Sequence, residues 1–282
     1  MGLRAVVAPV VAGALLAAVS DAARSVRRVT SRTGTGTALF ELSDLIEEPA
    51  ALQPASGWAA ARGVFDLETT GVDTATARIV TAHVGVIDDF GGVVERHEWI
   101  VDPGTPIPEG ATAVHGISTE RARRFGRPPA EVVPEIVAAL RSVVARGFPV
   151  VIYNAPYDLT LLAAETARAG VAPLPRSAAI VDPLVIDRAL DRYRRGKRTL
   201  TAAAEHYGVE LTDAHEAGAD AIAAGRVAQA IARRFGPELA MSAQQLHEAQ
   251  VGWCADQTDR FQTYMRQHRD PDFTASGAWP HR

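Results

Sequence analysis

The feature that most constrains the fold is a change in hydrophobic period along the chain. Alternating apolar runs, separated by turn residues at 88–92, dominate residues 62–101 and are typical of strands joined by short turns. Helix and strand patterns then alternate from residue 129 onward, which predicts one α/β sheet with helices on its faces. The predicted strands are residues 62–68, 78–86, 93–101, 149–153 and 178–181. The predicted helices are residues 129–146, 156–169, 200–207, 216–235 and 242–267.

The chain divides into three predicted parts: an apolar N-terminal segment with a linker (1–59), a domain (60–236) and a C-terminal helical extension (237–282). Residues 5–19 carry no charge and are followed by several arginines. Three interpretations stay open for this start: a non-inserting helix or misassigned start codon, a membrane tether through residues 5–19, or a cleaved signal. The heavier positive charge after the apolar run favours a cytoplasmic location for the rest of the chain.

Composition excludes several classes of protein. With 47% hydrophobic residues and a mean hydropathy of 0.00, the 282-residue chain can bury a full core. A formal net charge of −4 gives no overall field that attracts nucleic acid, so a polyanion would be held locally. The single cysteine, Cys254, excludes an intramolecular disulfide and a cysteine-based zinc site.

Two carboxylates lie two residues apart on the first predicted strand. Because strand residues alternate sides, Asp66 and Glu68 leave the same face. Like charges held this close require a shared proton or a bound cation if the site is partly dry. Two exposed acids at a strand end are the alternative.

Two further segments carry acids at the predicted strand ends or helix starts. Asp158 follows the strand at 149–153, in the first turn of the next helix, where ligands of α/β sheets gather and where the helix dipole also favours an acid. His215 and Asp220 are five residues apart, so they converge only if His215 lies on the approach to the helix. A surface or structural histidine is the alternative to a catalytic one.

Together, the segments FDLETTG at 65–71, YNAPYD at 153–158 and H-x4-D at 215–220 resemble the three motifs of the DEDDh 3′–5′ exonuclease superfamily. The resemblance covers about residues 62–235 and implies a ribonuclease H-like fold with a five-stranded mixed sheet, three strands forming an antiparallel meander and two running parallel. The superfamily includes the proofreading subunit of bacterial replicative polymerase, ribonuclease T and oligoribonuclease. Tyr153 and Tyr157 depart from the usual histidine and phenylalanine of the second motif and leave the acids intact.

The resemblance implies a catalytic set and its cofactors. Asp66, Glu68, Asp158 and Asp220 would hold two divalent ions, Mg2+ with Mn2+ as a substitute, since all four offer oxygen ligands. His215 would act as the general base, because imidazole exchanges protons near neutral pH. The implied reaction releases nucleoside 5′-monophosphates from single-stranded 3′ ends, with DNA favoured. An RNA-trimming enzyme and a noncatalytic binding module on the same fold are the alternatives.

Substrate contacts are also implied by resemblance. Leu67, Thr69 and Thr70 would meet the terminal sugar, and His115 and Asn154 would neighbour the last nucleotide. Two basic clusters, residues 121–127 and 192–198, suit either a path for a single strand or a solvated face. Trp253 is predicted to pack in the core of the C-terminal helix. No clamp-binding peptide, polymerase or helicase domain is recognised, so no replicase partner is indicated.

Overall fold

The computed structural model describes residues 57–212 and 214–282. Predictions about residues 1–56, including the tether, signal and linker interpretations, lie outside the described residues. Within the described part of the chain, no helix combines the length and apolar character needed to cross a bilayer.

Among the described residues, five strands and eight helices follow one another in an order close to that predicted. The strands are β1 (Arg62–Thr69), β2 (Ile79–Ile87), β3 (Val93–Ile100), β4 (Val150–Val151) and β5 (Ile180–Val181). The helices are α1 (Glu109–His115), α2 (Thr119–Phe125), α3 (Pro129–Ala145), α4 (Ala155–Ala169), α5 (Pro183–Leu190), α6 (Leu200–Tyr207), α7 (Ala217–Arg234) and α8 (Ala243–His268). A short 3-10 turn at Gly57–Ala59 precedes β1.

The strands form a single five-stranded sheet in the order β3-β2-β1-β4-β5. β1, β2 and β3 pair antiparallel, while β4 pairs parallel with both β1 and β5. This confirms the predicted mixed sheet and ribonuclease H-like fold. β3 closes one edge with exposed charged side chains, which discourages pairing with another chain.

Helices cover both faces of the sheet, so the core has two layers. Phe65 packs with Ile136 and Leu140 of α3 on one face. Val64, its neighbour on β1, packs with Val227 and other residues of α7 on the opposite face. The alternation of side chains along β1 therefore assigns each residue of that strand to one helical layer.

Three helices were not predicted: α1, α2 and α5. α1 and α2 have seven residues each, and α1 buries none of them, so they lack the apolar periodicity that marks longer helices. α5 has eight residues and begins at Pro183 after Asp182, whose side chain accepts a hydrogen bond from the Leu184 N–H. The starts of α2 and α5 are capped by the side chains of Ser118 and Asp182, whereas α1 has no side-chain cap.

The C-terminal segment packs on the sheet edge at β5. Leu246, Gln250 and Cys254 of α8 are buried, and Trp279 beyond the helix is 6% exposed and joins the core. Trp253 is partly buried against both apolar clusters, which confirms its predicted packing role. The predicted domain boundary near residue 236 stays a prediction.

Candidate active site

β1 presents Asp66 and Glu68 on the face that packs against α7. Both side chains alternate with buried residues, Phe65 and Leu67, and both are partly exposed. They share the face of Val64, which lies in the α7 layer. The two carboxylates therefore lie on the same face, as their spacing predicts.

α7 brings the third acid and the histidine to this face. The helix begins at Ala217, with Asp220 in its first turn. His215 precedes the helix in a left-handed conformation (φ 73°), and its backbone N–H donates to Asp220 Oδ2 at 3.3 Å. The prediction that His215 meets Asp220 from the approach to the helix is confirmed.

Glu68, His215 and Asp220 form a compact cluster of ligand atoms. One such atom from each residue lies within 4.8 Å of the others. At an effective dielectric constant of about 20, two unit negative charges at that distance repel by about 3.5 kcal/mol. Asp220 Oδ1 is buried and has no hydrogen-bond partner among the described residues. A buried carboxylate oxygen without a donor, facing other acids, fits a bound cation.

The fourth acid comes from the adjacent strand end. Asp158 lies in the first turn of α4, is 3% exposed, and accepts a hydrogen bond from the Leu67 N–H at 3.1 Å through Oδ1. This hydrogen bond joins α4 to β1 at the residue between Asp66 and Glu68. Its carboxylate is close enough to Asp66 to change that residue's pKa.

The four acids perturb one another in the absence of a counter-charge. Burial, followed by the charges of Asp158, Glu68 and Asp220, raises the pKa of Asp66 well above its ordinary value. Burial and the nearby Asp220 raise the pKa of Glu68 to about 8. Burial also raises the pKa of Asp158 and of Asp220. A divalent cation would reverse this tendency, and the all-oxygen set of carboxylates suits Mg2+ or Mn2+.

A residue that sequence reasoning did not assign to the site, Asp182, fixes the turn between β4 and α4. Its Oδ1 accepts from the backbone N–H of Asn154 at 3.0 Å, and its Oδ2 accepts from that of Ala155 at 2.9 Å. The side chain is fully buried. Asp182 thereby holds the left-handed Asn154 (φ 63°) from which the helix carrying Asp158 starts. Its position directly before Pro183, at the end of a predicted strand, was the available signal.

The predicted substrate residues on β1 are largely engaged within the protein. Leu67 is buried and its N–H is donated to Asp158. The Thr69 hydroxyl lies 2.5 Å from the Tyr157 hydroxyl and donates to the Gly71 carbonyl at 2.9 Å. The Thr70 hydroxyl accepts from the Arg78 N–H at 3.0 Å. Tyr157, which the motif resemblance does not assign to the site, is therefore part of the hydrogen bonding that shapes this strand end.

The other two predicted substrate residues, His115 and Asn154, line two different cavities. His115, at the end of α1, lines a cavity of about 380 Å³ together with His215 and Arg121. Its Nδ1 accepts from the Ile117 N–H, and its Nε2 is buried without a partner among the described residues. Asn154 is exposed at the start of α4. The structure thus brings His115 beside His215 and leaves Asn154 open to solvent.

The arginines of the two basic clusters, residues 121–127 and 192–198, are not all exposed to solvent. Arg194 and Arg198 both pair with the buried Asp187, at 2.7 and 2.6 Å, so the solvated interpretation is wrong for these two. A carboxylate taken out of water needs such partners, which is the physical reason for their burial. Arg192 in the same cluster is exposed. Arg127 of the first cluster pairs with Glu131 and Glu135 on the surface.

The mixed sheet, with acids gathered on β1, α4 and α7, defines a nuclease of ribonuclease H-like fold. The family model described as exonuclease (RNase_T) matches residues 64–228, more than half of the chain. The chain therefore belongs to the exonuclease family, whose DEDDh superfamily the three motifs fit. The family depends on divalent metal ions.

Comparisons with individual proteins agree with the family. A PolC-type DNA polymerase III of Streptococcus suis is 29% identical over 166 residues, which cover 58% of this chain and 10% of that polymerase. A DNA polymerase III subunit epsilon-like protein of Rhodobacter capsulatus is 36% identical over 101 residues, covering 35% of this chain and 14% of that protein. The crystal structure of E. coli exonuclease I in complex with a dA16 oligonucleotide superimposes with a TM-score of 0.54 at 20% identity, covering 63% of this chain and 42% of that one. The matches thus span between 10% and 42% of the length of these relatives.

Proposed function

We propose that this protein is a metal-dependent 3′–5′ exonuclease that removes nucleoside 5′-monophosphates from single-stranded ends, with DNA favoured. The observation that carries the proposal is the meeting of Asp66, Glu68, Asp158 and Asp220 with His215 at one end of the sheet. Three segments that are far apart in sequence, around residues 66–68, 158 and 215–220, converge there, although the mutual repulsion of the four acids destabilises the arrangement without a cation.

The four carboxylates would hold the divalent ions, Mg2+ first and Mn2+ as a substitute. Asp220 Oδ1 is buried and lacks a hydrogen-bond partner among the described residues, and a carboxylate oxygen of Asp220 lies within 4.8 Å of one of Glu68. Bound ions of this kind lower the pKa of an attacking water and stabilise a leaving oxygen. Asp158 is held in place by the Leu67 N–H and Asp220 by that of His215, so the ligand set is positioned by backbone contacts.

His215 would take the proton of the attacking water. Its side chain is exposed at the edge of the acid cluster, and its left-handed backbone conformation keeps it off the helix that carries Asp220. An exposed imidazole beside the cluster can pass the proton on to solvent after each cycle. His115 lies across the same cavity and would neighbour the terminal nucleotide.

Digestion of matched, 3′-labelled and 5′-labelled single-stranded DNA and RNA oligomers tests the proposal. With Mg2+ or Mn2+ present, we expect stepwise shortening from the 3′ end that Asp66→Asn abolishes and His215→Gln reduces by about 10²- to 10⁴-fold. Glu238→Gln, at an exposed acid on the surface, is the matched control and should leave the rate unchanged.

Each outcome decides between functions. Faster shortening of RNA than of DNA would favour an RNA-trimming enzyme on the same site. No shortening of either polymer with either ion, from protein that still unfolds cooperatively, would overturn the catalytic proposal in favour of a noncatalytic binding module.

A further inference from the structure

A groove of about 550 Å³ lies between α5, α8 and the C-terminal segment. It is lined by four arginines, Arg188, Arg192, Arg260 and Arg282. None of the four side chains forms an ion pair or a hydrogen bond with another described residue, and all four residues are exposed. This local excess of positive charge stands out in a chain whose formal net charge is −4.

The acid in the groove does not neutralise these arginines. Asp182 is buried, and its carboxylate accepts from three backbone N–H groups and, at 3.4 Å, from Trp279 Nε1. Its charge is therefore stabilised by donors of the fold itself. The four guanidinium groups remain available to an external polyanion.

The groove opens beside the candidate active site. Asn154 and Pro156 line it, and Asp158 follows in the same first turn of α4. From that end, Arg188 lies about 9 Å along α5 from Asp182. A chain of phosphates leaving the acid cluster past Asn154 would meet Arg188, with Arg192 just beyond the end of α5.

The walls of the groove are held together by buried contacts. Gln257 of α8 donates to the Val185 carbonyl of α5 at 2.9 Å, and Cys254 is buried below. Phe261 lines the groove while half of its surface is exposed. An aromatic face among cations is the combination by which proteins bind single-stranded nucleic acid, since bases stack on the ring while cations follow the backbone.

We propose that this groove, which we call the arginine groove, binds the sugar-phosphate backbone of the single strand on the 5′ side of the nucleotide being cleaved. The proposal rests on the proposed exonuclease function. It assigns a role to Arg192 that Arg194 and Arg198 of the same cluster cannot take, because both are occupied by Asp187.

The test compares dT2 and dT16 as substrates of the full chain. Arg192→Gln combined with Arg260→Gln should raise KM for dT16 on the order of tenfold at about 0.1 M salt, with kcat and the cleavage of dT2 unchanged. The slope of log binding constant against log salt, measured with dT16 in the Asp66→Asn background, should fall by about 1.4 for the two lost cations. Phe261→Leu should weaken dT16 binding severalfold without changing that slope.

Arg233→Gln is the matched control. Arg233 is exposed in the last turn of α7, about 20 Å along that helix from Asp220, and should change neither KM nor the slope. Equal KM and equal salt slope for the double variant and for Arg233→Gln would overturn the arginine groove. If wild type releases no nucleotide from either oligomer, the exonuclease proposal fails, while the salt slope for dT16 binding still decides on the groove.

Discussion

Asp182 offers the sharpest test of how this fold builds its site. Its carboxylate is fully buried and accepts four N–H donors, two on each oxygen. Asp182→Asn keeps the shape of the side chain and replaces one oxygen by an amide that donates hydrogen bonds. Whichever oxygen remains, two of the four donors lose their acceptor and face another N–H.

The cost follows from those two donors. A buried donor without an acceptor costs about 1–3 kcal/mol, so the free energy of unfolding should fall by about 2–6 kcal/mol. For a domain of this size, that corresponds to a lower melting temperature by roughly 5–20 °C. Burial raises the pKa of Asp182, and the N–H donors oppose that shift. Because the neutral amide removes this desolvation cost, the loss of unfolding free energy should lie in the lower part of that range.

Urea and thermal unfolding followed by circular dichroism measure this loss directly. Ser118→Ala is the control, because Ser118 caps α2 through one exposed hydrogen bond to the Arg121 N–H. Its loss should cost about 0.5–2 kcal/mol. A decrease for Asp182→Asn no larger than that of Ser118→Ala would refute the assignment of Asp182 as the residue that holds the β4–α4 turn.

Two other predictions concern packing and pH. Gly225→Ala places a methyl group 2.6 Å from Ile87 Cδ1, so the free energy of unfolding should fall by about 1–3 kcal/mol. The methyl group of Gly252→Ala on α8 meets nothing within 4 Å, so that free energy should rise by up to about 1 kcal/mol. Equal changes for the two variants in urea unfolding would contradict this prediction. The Nδ1 of His247 accepts from the Ile180 N–H, and burial lowers the pKa of His247. Its contribution to stability is therefore present above the unfolded pKa of about 6.5 and is lost as pH falls through the lower folded pKa, so the stability difference between wild type and His247→Asn should shrink from pH 7 to pH 5. A difference independent of pH would show that His247 does not titrate in this way.

The strands and the long helices followed from local sequence. The period-two runs placed β1 to β3, and α3, α4, α7 and α8 begin and end within one or two residues of their predicted bounds. These elements bury a continuous apolar face, which leaves a periodic signal in the sequence. The four acids and His215 were recognisable through the resemblance of three motifs to a known superfamily, while spacing alone established only that Asp66 and Glu68 share a face of β1.

Contacts between distant residues could be decided only by the tertiary structure. The Asp182 carboxylate accepts a hydrogen bond from Trp279, 97 residues away, and the Asp182 N–H donates to Gln250, 68 residues away. No local sequence pattern therefore predicts that the C-terminal segment supports the candidate active site. Arg192 and Arg194 are two residues apart and look alike in sequence. Only the fold places one in an open groove and the other against buried Asp187, because a charge is neutralised by what packs beside it in space, not by its neighbours in the chain.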